Sequence, residues 1–272
     1  MTDTSEPTQL IPRAAGARGV SAAMAGSCVR PRSTLLGDDL VKADHYDSFA
    51  ERYSADNEAN LINGHYERPA MIGLAGDVNG RRILDAGCGS GPLSAALRER
   101  GAIVTGFDSS PAMVELAERR LGEDATLLVA DLSEPLPFAD GAFDDVVVSL
   151  VLHYLKDWTA PLAELRRVLR PGGRLILSVN HPMVYTAVHP DADYFALARW
   201  SEDYTFDGHS TELTYWHRPL HAMTDAFTDA GFRVSVVSEP PMSPGTPREI
   251  LPPHLVDRTS FICFIFFVLE AH

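Results

Sequence analysis

The sequence predicts an α/β fold, a doubly wound, mostly parallel, seven-stranded sheet with helices on both faces. Three observations carry that prediction. Short β-branched runs alternate with helical patterns between residues 81 and 179, a glycine-rich loop follows the first run, and an acid stands at or just past the end of each of the first three runs. Alternation at this spacing requires crossover connections, which give parallel strands covered on both sides.

The elements follow in order. Tyr46, Phe49, Ala50 and Tyr53 recur at helical spacing, and a second helical pattern runs from Leu61 to Leu74. Residues 81–85 read as a strand entering the loop, followed by a helix over 92–100, a strand over 103–107, a helix over 111–121 and a strand over 126–130. Pro92 and Pro111 stand where a first helical turn tolerates proline, because N–H groups there have no intrahelical partner anyway. Next come a strand over 143–150, a helix over 158–169, a turn at Arg170-Pro171-Gly172-Gly173 and a strand over 174–179. Residues 183–218 break the rhythm and are expected as a small cap inserted before the sixth strand, with 213–220 reading as a strand that leads into a helix. A helix over 220–230, a strand over 232–237, a proline-rich loop over 239–253 and a strand over 260–269 close the chain.

With 272 residues, 45% hydrophobic and 22% charged, the chain suits one globular domain, expected over 44–272. Residues 1–43 are rich in Ala, Gly, Ser, Arg and Pro, lack a sustained period and are expected as a disordered tail. Arg13, Arg18, Arg30 and Arg32 give that tail a faint transit-peptide cast, but it has no apolar core of a secretory signal. The net charge of −14 argues against a nucleic-acid partner, whose affinity rests on Lys and Arg at phosphates. Cys28, Cys88 and Cys263 are too few and too scattered for a disulfide framework or a zinc site, which suits a reducing cytoplasm. The longest apolar run, residues 261–269, falls far short of the roughly 20 residues of a membrane helix, so no membrane partner is expected.

The chemistry concentrates in Ile83-Leu84-Asp85-Ala86-Gly87-Cys88-Gly89-Ser90-Gly91. Doubly wound sheets bind ligands beyond the carboxyl ends of their strands. Glycines there let backbone approach a ligand closely, and the next helix presents unpaired N–H groups. A dinucleotide fingerprint fits poorly, since its third glycine would fall on Pro92 or Ser94 and Asp85 would repel a pyrophosphate. An acid at that point suits a cationic amino group, hence an amino-acid-bearing cofactor. Asp108, ending the second strand, can accept both hydroxyls of a ribose, and Asp131, after the third, could accept from an adenine amino group. Each alone is an ordinary turn residue or cap. Together, beside one loop, they read as one site.

This segment resembles the first motif of the class I S-adenosylmethionine methyltransferases, a family with a Rossmann-like fold. The likeness continues through Asp108, Asp131-Leu132, Pro135-Leu136-Pro137-Phe138, Phe143-Asp144 and Arg170-Pro171-Gly172-Gly173, covering about residues 44–180. Within the family the chain is similar to the small-molecule, ubiquinone/menaquinone-type ("type 11") branch. The resemblance implies S-adenosyl-L-methionine as cofactor, with methionyl contacts at Asp85, Gly87 and Gly89 and the ribose at Asp108. It implies adenine near Ser109, Met113, Asp131 and Leu132, Ser149 in the same cofactor set, and Tyr46 and Tyr53 folding over the cofactor. The expected activity is in-line methyl transfer to a small-molecule acceptor without a metal. The fourth strand ends Ser149-Leu150-Val151-Leu152-His153, which lacks both the signature of DNA amino-methylating enzymes and the acidic metal ligands of catechol enzymes. Cys88, inside the loop, reads as packing rather than as a nucleophile.

On the acceptor side, His153 and His181 follow the fourth and fifth strands and are the candidates for a general base, or else walls of the pocket. Tyr185, Trp200, His217 and Arg218 are the candidate substrate contacts in the cap, whose aromatic density suits a flat or greasy acceptor or simply packs the cap down. Two alternatives stay open: a protein or tRNA methyltransferase on the same fold, and a cofactor-binding, pericyclase-like relative that no longer transfers methyl groups.

Overall fold

The computed structural model of the chain describes residues 47, 49–206 and 209–272. Tyr46 and the expected tail over 1–43 lie outside the described residues. The main sheet contains β1 (Arg82–Ala86), β2 (Ile103–Asp108), β3 (Thr126–Val129), β4 (Phe143–Ser149), β5 (Leu169–Asn180), β8 (Phe232–Ser238) and β9 (Phe264–Ala271). Its order is β3-β2-β1-β4-β5-β9-β8. The first five strands run parallel, and β9 is antiparallel to both β5 and β8. This is the doubly wound, Rossmann-like sheet that the alternation of runs predicts.

The apolar period of two places successive side chains on opposite faces. Leu84, Val146, Val148 and Leu177 pack on one side against α5 (Thr159–Val168) and α7 (Leu220–Asp229). Ile83, Val147 and Ile176 pack on the other against α2 (Arg68–Ala75) and α3 (Pro92–Arg98). Two further helices stand at the sheet's carboxyl edge. Helix α1 (Ala50–Ala59) is tied to α4 (Pro111–Leu121) by the Arg119–Glu51 and Arg120–Glu58 pairs. At the amino ends of the strands, the fully buried Asp145 is gripped by Arg81 and by Arg174, the latter at 2.8 Å through both carboxylate oxygens. Strand order reverses between β1 and β4, which opens a crevice beyond their carboxyl ends.

Three segments differ from the sequence expectation. The helical pattern over 61–74 is interrupted by a π-helical turn, Asn63–Glu67, before α2. Pro69 lacks the N–H that would continue an α-helical ladder through this point. Residues 170–173, expected as a turn, fall within the span of β5 but are looped out of its pairing: the register against β4 passes from Phe143–Leu169 to Asp145–Arg174, and Gly172 holds φ at +71°. The stretch over 183–218 folds as α6 (Pro182–Val188) and an antiparallel hairpin of β6 (Ala198–Phe206) and β7 (His209–His217). Among the described residues, no helix is long and apolar enough to cross a membrane.

Candidate active site

The crevice beyond β1 and β4 is a cleft of about 490 Å³ lined by Tyr53, Glu67, Arg68, Asp85, Gly89 and Ser149, among others. Five of the sequence-predicted cofactor residues meet there: Tyr53, Asp85, Gly87, Gly89 and Ser149. Gly87 and Gly89 do different work. Both have positive φ, +78° and +53°, a region that suits glycine. A Cβ on Gly87 would collide with Val151, so this glycine is demanded by the protein's own packing. A Cβ on Gly89 would meet no atom within 4 Å, so the space in front of it belongs to the cleft.

Asp85 is 1% exposed, with Oδ2 accepting from Ser94 at 2.6 Å and Oδ1 buried without a partner among the described residues. Burial lifts its carboxyl to about 7, opposed by the Ser94 hydrogen bond and reinforced by the charges of Glu67 and Asp108. Asp108 accepts from the backbone N–H of Gly89 at 2.8 Å and of Ser110 at 3.0 Å, which pins the loop to the tip of β2. Its carboxyl is also raised by burial, against those backbone hydrogen bonds. Cys88 is buried beneath the loop, and burial, with Asp85 and Asp108 nearby, pushes its thiol well above the usual range.

The remaining predicted cofactor residues lie further along the same edge. Met113 and Leu132 are 2% and 5% exposed, and Leu132 belongs to the main core. Ser109 links Asp108 to Ser110, which caps α4 by accepting from Met113 N–H. Asp131 is exposed and accepts the N–H of Ser133 at 2.8 Å, an ordinary turn contact that leaves its other oxygen outward.

Sequence reading missed two charged lining residues, Glu67 at the end of the π turn and Arg68 just after it. Glu67 is 3% exposed, and its Oε1 accepts from Ser149 and Ser178, each at 2.7 Å. Burial raises its carboxyl against those two hydroxyls. Arg68 bonds Asn57 through its backbone oxygen at 3.0 Å and its side-chain oxygen at 2.9 Å. Their one visible signal is a charged pair inside an otherwise half-apolar helical pattern. The cleft therefore sets buried acids, Asp85 and Glu67, against one guanidinium, the complement of a zwitterion. Leu150, also lining the cleft, holds φ at +57°, a conformation that costs an L side chain roughly 1–2 kcal/mol and that no sequence signal marks.

A second recess of about 280 Å³ lies between the cap and the ends of β4 and β5. It brings together all the predicted acceptor-side residues: His153, His181, Tyr185, Trp200, His217 and Arg218. His153 Nδ1 accepts the N–H of Asn180 at 3.2 Å, and burial pushes its pKa down to about 3. The ring is thus neutral, carries its proton on Nε2 and can donate there. His181 uses both nitrogens: Nδ1 accepts from Met183 N–H at 3.1 Å, capping α6, and Nε2 meets Glu239 at 2.7 Å. Tyr185 stacks on His217 at 4.3 Å and 14°, and Arg218 lies 4.5 Å over the Trp158 ring.

Residues 84–177 match the family model described as a methyltransferase domain. The chain is 38% identical over 149 residues to a demethylmenaquinone methyltransferase of Beutenbergia cavernae, covering 54% of this chain and 61% of that protein. It is 42% identical over 108 residues to a malonyl-[acyl-carrier protein] O-methyltransferase of Serratia marcescens, covering 40% of this chain and 42% of the relative. Those matches span less than two thirds of either relative's length. A solved S-adenosylmethionine-dependent methyltransferase of Mesorhizobium loti superposes with a TM-score of 0.56 at 26% identity, covering 74% of this chain and 96% of that one. The fold, the glycine loop and the matched segment over 84–177 are similar to those of class I S-adenosylmethionine methyltransferases, whose cofactor is S-adenosyl-L-methionine.

Proposed function

We propose that this protein transfers the methyl group of S-adenosylmethionine to a flat, small-molecule acceptor of quinol-like chemistry, by in-line displacement, without a metal, in the cytoplasm. The observation that carries the reading is the orphaned, buried Oδ1 of Asp85, facing a cleft whose opposite charge is Arg68. Asp85 and Glu67 take the α-ammonium of the methionyl tail, and Arg68 takes its carboxylate. Asp108 accepts from the ribose, adenine lies along Ser109, Met113, Asp131 and Leu132, and Tyr53 covers the methionyl end.

The bound cofactor supplies a methyl group already activated on a cationic sulfur, so the chain's task is alignment. Holding two reactants in a near-attack pose is worth about 7–11 kcal/mol. The neutral His153 orients the acceptor through its Nε2–H rather than removing a proton, since a base needs a pKa near the working pH. Tyr185, Trp200, His217 and Arg218 form the acceptor's walls. The acceptor class is supported by the aromatic recess and by the relatives' names; the acidity of the chain counts against tRNA.

Calorimetry with S-adenosylhomocysteine, followed by transfer of labelled methyl from S-adenosylmethionine into a small-molecule extract and into tRNA, tests the proposal. Binding plus label in the extract is expected. No uptake of S-adenosylhomocysteine, or label in tRNA alone, refutes it.

A further inference from the structure

The recess under the cap contains donors that nothing among the described residues satisfies. Asn180 Nδ2 and Arg218 Nε are both buried, both belong to residues that line the recess, and both lack a hydrogen-bond partner among the described residues. An unpaired buried donor is costly to a fold, so two in one small space are a feature to explain. His153, also lining the recess, has only Nε2–H left to offer because Nδ1 is occupied by Asn180 N–H. None of the lining residues is an Asp or a Glu. The carboxylates that act on the wall are turned elsewhere: Glu239 is spent on His181 Nε2, and Asp157 and Asp193 are exposed, acting on Arg218 and His217.

We infer that this recess binds an anionic oxygen, carboxylate or enolate, on an aromatic acceptor, and that Asn180 is the specificity-determining residue that reads it. The inference rests on the methyltransferase reading and adds the acceptor's charge to it. Arg218 is fixed for the task. Its Nη2 donates to Lys156 O at 2.6 Å while the guanidinium lies against Trp158, so its plane cannot swing away from the recess. Burial lowers its pKa, the mark of a cation short of solvation, which an anion would relieve. Donors without acceptors select acceptor atoms, and an ionised oxygen makes about twice as strong a bond as a neutral one. Trp200, Trp216 and the Tyr185–His217 stack supply flat apolar walls around those donors.

The test uses the full chain saturated with S-adenosylhomocysteine and two probes of one shape, 2-naphthoate and the uncharged 2-naphthalenemethanol, titrated by calorimetry. The wild-type protein is expected to bind the naphthoate at least tenfold more tightly than the alcohol. Asn180→Leu should bring the two probes within threefold. Asn180→Asp, nearly isosteric and therefore a safeguard if the leucine variant fails to fold, should lose the naphthoate while keeping the alcohol. Equal affinity for the probes in the wild type, binding of neither, or an undiminished gap in both variants overturns the inference and leaves the donors to water. Failure of S-adenosylhomocysteine itself to bind would instead bring down the methyltransferase reading.

Discussion

Replacing Asp85 with asparagine should stabilise the free protein while weakening its grip on the cofactor. The folded carboxyl sits at about 7, above the value near 4 expected in the unfolded chain. A group raised in this way contributes stability in full below about pH 4, and that contribution is lost as the pH climbs through 7. At pH 8, keeping Asp85 ionised in the free fold costs on the order of 4 kcal/mol, from about 1.36 kcal/mol for each tenfold step. Asparagine removes that cost but leaves an amide to satisfy, itself a penalty of about 1–3 kcal/mol. The expected net gain is about 1–3 kcal/mol, seen as a rise in Tm of about 2–4 °C per kcal/mol. Cofactor binding should move the other way. The α-ammonium selects the ionised carboxylate, so wild-type affinity for S-adenosylhomocysteine should rise about tenfold from pH 6 to pH 8, with proton release near pH 7. The variant should bind more weakly by about 1.5–3 kcal/mol and show no such dependence. Calorimetry at pH 6, 7 and 8, in buffers of different ionisation heat, reads both quantities. A flat wild-type profile, or a variant that keeps the slope, would refute the assignment of Asp85 to the ammonium.

Further outcomes follow from individual residues. Gly89→Ala should fold, paying about 1–2 kcal/mol for its left-handed backbone, and lose at least tenfold in S-adenosylhomocysteine affinity because the new methyl enters the cleft; normal affinity in calorimetry would move the cofactor away from the loop. Gly87→Val, by contrast, should lower Tm outright, since its side chain would run into Val151. Asp145→Asn should cost about 3–5 kcal/mol in guanidinium unfolding, because two arginines lose a buried partner. Burial pushes the Asp145 carboxyl up, but hydrogen bonds from Arg174 and Arg81 outweigh it and hold the pKa low, so its contribution is present above about pH 4 and lost as pH falls through the depressed value. Nitrogen-15 NMR of His153 should show an Nε2–H tautomer that does not titrate between pH 5 and 8; an inflection in that range would restore it as a candidate base.

The strands that build the site were legible because their cues are local. A run of β-branched residues, a glycine loop and a proline at a helix start each report on their own few neighbours, and β1 to β5 follow them closely. The same locality explains the departures. Residues 170–173 carry the composition of a turn and fall inside the span of β5, yet the β4 register skips them, passing from Leu169 to Arg174. Within the π turn at Asn63–Glu67, Tyr66 packs on Phe261, Phe264 and Phe266, rings some 200 residues away that no window of sequence brings near it.

By itself, the sequence determined the class of fold, the loop and the three acids at the strand tips, because each depends on contacts between near neighbours or on a motif with fixed spacing. Tertiary structure alone decided what those groups face. It buried Asp85 with one oxygen orphaned, delivered Glu67 and Arg68 into the cleft, spent both nitrogens of His181 and turned His153 into a neutral donor. Desolvation and hydrogen-bond partnership are properties of packing across distant segments, and they set the charge each group carries. The letters therefore name the chemistry, and the fold assigns the protons.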